Sequence, residues 1–133
     1  MIMPDDLAKS GTEHGHQSAL FCWASLPEQQ KLYPELKWMF AIPNGGKRDM
    51  VTASNLKAEG VKPGVPDIML PIAKRGFHGL FIEMKKPVVG RVSVKQSDFA
   101  VALMSNKYHV ITCYGWVEAR DVIVAYLALD NMY

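Results

Sequence analysis

Apolar residues along this chain fall into two rhythms, one helical and one stranded. Ala19, Leu20, Trp23 and Leu26 recur at helical spacing up to Pro27, and Thr12 stands where the cap of a helix starting at Glu13 belongs. Lys37-Trp38-Met39-Phe40-Ala41-Ile42, closed by Pro43-Asn44-Gly45-Gly46, reads as a first strand. Val51, Ala53, Leu56 and Ala58 give a partial helical stripe that Gly60 ends, and Pro63-Gly64-Val65-Pro66 makes a stiff turn. Two short apolar strands follow, Asp67 to Leu70 and Gly79 to Lys85, joined by a connection from Pro71 to Phe77 short enough for them to pair. Ser93 with Gln96 forms a capping box for a helix that turns Phe99, Ala102 and Leu103 to the core. Tyr108 to Cys113 is a fourth strand closed by Gly115, and Ala119, Val122, Ile123, Tyr126 and Leu127 mark a last helix.

That order, with one turn-linked strand pair and one helical crossover, predicts an α/β fold: a small mixed sheet of about four strands flanked by helices. The 133 residues suit a single domain, 1–133, with a core that needs no staples. Cys22 and Cys113 have no metal-ligand spacing and read as buried free thiols. No apolar run has the length of a membrane span, and no basic region followed by an apolar stretch opens the chain, so a cytoplasmic protein, in a bacterial cell or a virus-infected host, is expected.

A net charge of +2 announces no partner by itself. Its distribution says more. Lys47, Arg48, Lys57, Lys62, Lys74, Arg75, Lys85, Lys86, Arg91 and Lys95 crowd the middle of the chain, while acidic residues favour its ends. A solvated surface and a binding surface explain this bias equally well.

The sharpest chemistry lies within that basic middle. Side chains alternate along a strand, so Phe81, Glu83 and Lys85 share one face while Leu80, Ile82 and Met84 take the other. Asp67 opens the neighbouring strand, and pairing of the two brings Asp67, Glu83 and Lys85 together. Carboxylates gathered at one sheet end repel each other unless a cation lies between them. Hard oxygen donors favour Mg2+ or Mn2+, and an ammonium beside them suits positioning an attacking water or steadying charge on a phosphate. Taken singly, an Asp after Pro is a common strand entry and Glu-x-Lys a common solvated pair. An otherwise apolar strand ending in unpaired charge is uncommon.

The ordered series resembles the PD-(D/E)xK nuclease superfamily, and within it the virus-type replication-repair nuclease (VRR-NUC) branch. The matching pieces are Glu13 and Gln17, Ile42-Pro43-Asn44-Gly45-Gly46, Gly64-Val65-Pro66-Asp67, Gly79 through Lys85, and Ser93 with Gln96, covering nearly the whole chain. The resemblance implies a restriction-endonuclease-like core, with Asp67, Glu83 and the backbone carbonyl of Met84 as ligands of a divalent metal and Lys85 orienting the nucleophilic water. It implies that Glu13 completes the site, although an acid in a helix's first turn is favourable anyway. It also brings Gln96 near the site, where the capping box alone explains that residue equally well. Asn44, Gly45 and Gly46 would offer amides to a phosphate beside Lys47 and Arg48, a segment that is otherwise an ordinary tight turn. The activity implied is a structure-specific DNA endonuclease, in its most attractive form a homodimer resolving four-way (Holliday) junctions in DNA repair. Its rivals are a monomeric flap or end nuclease and a nucleic-acid-binding module of the same fold that does not cut.

Overall fold

The strand β3 (Leu80–Lys85) has all six of its residues buried, because it is paired along both edges and covered on both faces. On one side β2 (Ile68–Leu70) runs antiparallel to it, with Ile68 opposite Ile82 and Leu70 opposite Leu80. On the other, β4 (His109–Tyr114) runs parallel, from Leu80 opposite His109 to Lys85 opposite Tyr114. A two-residue β1 (Phe40–Ala41) extends the sheet beyond β2, giving the order β1-β2-β3-β4. The structure is a computed structural model and describes residues 1–43, 50–87 and 91–131, with side chains left out of account at 50 and 51. Within them the expected mixed four-strand sheet flanked by helices is present.

A parallel pair needs a crossover, and α5 (Val94–Ser105) supplies it between β3 and β4. The core lies on the opposite face of the sheet. There Ile68, Leu70, Leu80, Ile82, Met84 and Cys113 meet Ala19, Leu20, Trp23 and Ala24 of α2 (Glu13–Ser25). Trp116, Ala119, Ile123, Tyr126 and Leu127 of α6 (Trp116–Leu127) complete it. Apolar burial on this scale, at about 1.5–3 kcal/mol per large side chain, fixes the frame on which the charged end of β3 is held.

Several expected elements differ. Of the predicted strand from Lys37 to Ile42, Lys37 and Trp38 belong to a 3-10 turn, Pro34–Trp38, and only Phe40 and Ala41 pair as β1. Leu36 in the turn and Met39 just after it are the buried residues of this stretch, and a spacing of three suits a 3-10 turn rather than a period-two strand. Two helices were not foreseen, α1 (Pro4–Ala8) and α3 (Pro27–Leu32), each with Pro at its start. The expected short helix is present as α4 (Met50–Ala58). Helix α5 buries none of its residues, so Phe99 and Leu103 are only half-buried and Ala102 is exposed, contrary to the core face expected of them. Cys113 is buried, as read from the sequence, but Cys22 is only partly so, its thiol directed at the Ile2 carbonyl 3.5 Å away.

Two cations of the basic middle belong to the frame. Lys74 is buried and donates to Asn131 Oδ1 at 2.6 Å, while Arg75 pairs with Asp130 at 3.4 Å. They tie the β2–β3 turn to the segment after α6. Among the described residues no helix is long and apolar enough to cross a membrane.

Candidate active site at the sheet end

Ile68 pairs with Ile82 in the β2–β3 ladder, so continuing that register one step places Asp67 opposite Glu83. The ladder changes character there. The Met84 amide donates to the Asp67 carboxylate, Oδ2, at 2.7 Å. The Asp67 carbonyl accepts from the Ile42 amide at 2.7 Å, fixing the residue between β1 and β3. Asp67 is thus held by main chain on two sides.

Glu83 and Lys85 share one face of β3 and are 5% and 8% exposed, and Gln96 at the start of α5 reaches across that face. Lys85 Nζ stands 3.8 Å from Glu83 Oε1. The same oxygen accepts from the Gln96 side-chain amide. Gln96 simultaneously closes the capping box, its Oε1 accepting from the Ser93 amide at 2.9 Å and its own amide donating to Ser93 Oγ at 3.1 Å. The two roles weighed for Gln96 therefore coexist: one side chain starts α5 and grips Glu83.

The other oxygen of Glu83, Oε2, is buried and reaches no donor. Burial, the neighbouring Asp67 charge and, more weakly, Glu13 push the Glu83 carboxyl up to about 8, with Lys85 pulling the other way. Two carboxyls set this close favour sharing one proton. Such a pair takes either a proton or a cation. The oxygens present are hard donors suited to Mg2+ or Mn2+ rather than zinc. Among the described residues no group of three or more His, Cys, Asp and Glu side chains could hold a metal ion, so a metal here would need main-chain oxygen as well.

Asp67 and Met84 form one wall of a cavity of about 450 Å3, and α2 forms the other. Glu13 lines it near the helix start, where Thr12 caps α2 by accepting from the Gly15 amide at 2.9 Å. His14, Gln17, Ser18 and Phe21 continue that wall. Patterning of the sequence singled out the apolar stripe of α2 and passed over His14, Ser18 and Phe21. The signal was a second stripe at spacing i, i+3, i+4, i+7 on the same helix. Glu83 and Lys85 do not line this cavity. Gln96 of α5 and Lys85 both meet Glu83, and Asp67 bridges to the cavity through its contacts to Met84 and Glu83.

Of the residues singled out from the sequence, Asp67, Glu83, Lys85 and Gln96 are therefore gathered in one connected network, with Glu13 across the cavity. Asn44, Gly45, Gly46, Lys47 and Arg48 lie outside the described residues. Among exposed cations, Lys86 follows Lys85, Arg91 precedes the Ser93–Gln96 cap and Lys95 lies within it. Gly64, two residues after exposed Lys62, has φ +89°, and a Cβ there would come within 2.5 Å of the Lys95 carbonyl.

Comparison with known proteins agrees with this geometry. The model of the VRR-NUC domain matches residues 7–116. A solved structure, a VRR_NUC domain protein, is similar with a TM-score of 0.75 and 27% identity, over 90% of this chain and 90% of that one. No curated protein matches the sequence. With the matched span reaching from the helix that carries Glu13 past the strands that carry Asp67, Glu83 and Lys85, the chain belongs to the VRR-NUC family, a family within the nucleases.

Proposed function

We propose that this protein is a divalent-metal-dependent endodeoxyribonuclease acting on branched DNA, with Asp67, Glu83, Lys85, Gln96 and Glu13 as its working residues. The observation that carries this reading is the buried Glu83 carboxylate beside Asp67, with one oxygen lacking a donor and the other 3.8 Å from the Lys85 ammonium. Asp67, Glu83 and the Met84 carbonyl would hold Mg2+ or Mn2+, which when bound neutralises phosphate charge and acidifies water.

The protein's own groups do the remainder. Gln96 fixes one Glu83 oxygen and leaves the other without a hydrogen-bond partner. Asp67 is held by the Met84 amide, so neither acid has to be reoriented when substrate arrives. Lys85 holds the attacking water in line with the scissile P–O bond and steadies the charge growing on the phosphate. Exposed Lys62, Lys86, Arg91 and Lys95 take neighbouring phosphates without reading sequence. A four-way junction is the symmetric form of such a substrate. Cutting it at matched positions requires two active sites related by a dyad, hence a homodimer.

The test is incubation of purified protein with four-way, flap and linear DNA in magnesium, manganese or chelator, beside Asp67→Ala and Lys85→Ala. Metal-dependent cutting of branched DNA that both substitutions abolish is expected. Equal cutting by the variants rejects the assignment, and DNA binding with no cutting in any metal favours a non-cleaving module. Sizing the protein in solution with and without junction DNA tests the homodimer.

A further inference from the structure

The α2 wall of the cavity is chemically unlike the wall it faces. Opposite Asp67 stand an imidazole, an amide, a hydroxyl and a phenyl ring, those of His14, Gln17, Ser18 and Phe21, aligned along one face of the helix. None of these fits a phosphate as Lys or Arg would. At a liquid share of roughly 30 Å3 per water, about 450 Å3 is far more room than a cation and one phosphate fill. The cavity lies within the range of ~300–1,000 Å3 typical of small-ligand pockets.

We infer that this cavity receives an unpaired nucleotide next to the scissile phosphate, its base lying against Phe21 and His14 and its polar edge meeting Gln17 and Ser18. Resting on the nuclease reading, the inference narrows the substrate to branched DNA able to offer an unstacked nucleotide at the branch. Aromatic and imidazole rings are the surfaces on which unpaired bases stack, and stacking tolerates any base because each has a π-face. Residues i and i+7 lie ~10 Å apart along a helix, so His14 and Phe21 mark the two ends of the slot. The amide and hydroxyl between them fall where the edge of a stacked base lies. A base pair does not fit such an arrangement, since its edges are already bonded and both its faces stacked. Phe21 also touches the core edge, so a change there has to preserve packing. His14 is exposed and does not.

The experiment measures binding of full-length protein, in Ca2+ as a hard but poorly catalytic cation, to two four-way junctions. One is fully paired and the other carries one unpaired 2-aminopurine nucleotide at the crossing. Expected for the native chain are a change in 2-aminopurine emission and roughly ten-fold tighter binding of the second junction. Phe21→Leu and His14→Ala, both with native melting temperatures, should lose that preference, so that each variant binds the two junctions with equal affinity. Equal affinities for the two junctions in the native chain, or a preference that survives both substitutions, overturns the slot and leaves the nuclease reading standing. Failure to bind or cut any DNA overturns both.

Discussion

Replacing Glu83 with Gln separates what this side chain costs the fold from what it gives the site. In the metal-free protein the folded state holds the Glu83 proton up to about pH 8, whereas the unfolded chain releases it near 4.5. Between those values the folded state binds more protons, so unfolding free energy falls as pH rises. The Glu83 contribution is complete below the unfolded value and gone above the folded one. The ceiling is about 1.4 kcal/mol per pH unit, and solvent reaching the site from the Asp67 cavity reduces the expected loss across the window to about 2–3 kcal/mol. Glu83→Gln cannot titrate and keeps an acceptor for Gln96. It leaves Lys85 without its partner, a fixed offset, and subtraction also removes opposing contributions such as that of His109, whose burial lowers its pKa. The assay is urea unfolding of both proteins in EDTA from about pH 5 to about pH 9, followed by far-ultraviolet circular dichroism, a window chosen to bracket Glu83's titration. The variant should gain about 2–3 kcal/mol on the native protein between the two ends. A constant difference, or one that moves the other way, refutes the idea that a buried carboxyl is held protonated beside Asp67.

Asp67→Asn keeps an acceptor for the Met84 amide, so it should melt within a few degrees of native while DNA cleavage falls at least about 100-fold, since one of the acids is lost; a large loss of stability would make Asp67 a structural residue instead. Gln96→Ala removes both the α5 capping box and the Glu83 contact and should cost about 1–2 kcal/mol in denaturant unfolding. Gly64→Ala combines φ +89° with a 2.5 Å clash against the Lys95 backbone; it should destabilise the protein by about 2–4 kcal/mol and raise hydrogen exchange first in α5.

Strand alternation alone put Phe81, Glu83 and Lys85 on one face and the core residues on the other, and the observed register agrees. Helical periodicity likewise found the buried Ala19, Leu20 and Trp23 of α2. Where the reading failed, the deciding information was tertiary or ambiguous. Pro27 was taken as a stop, yet proline at the first helical position also starts a helix, and here it does both. Trp38 and Phe40 suggested a strand by composition, although both are exposed and only the second is extended. The grip of Gln96 on Glu83 depends on where the crossover helix lies, which no local pattern encodes. Gly64 looked like a turn residue, and its close approach to Lys95 becomes visible only once α5 is in place.

The central claim is that Asp67 and Glu83 together hold one divalent cation in exchange for a proton. Titrating Mn2+ calorimetrically into metal-free protein near pH 7, in two buffers of different ionisation enthalpy, tests it most directly. About one site per chain is expected, with proton release that Glu83→Gln eliminates and affinity that Asp67→Asn lowers at least about ten-fold. Mn2+ binding of unchanged strength and proton release in both variants would contradict the account.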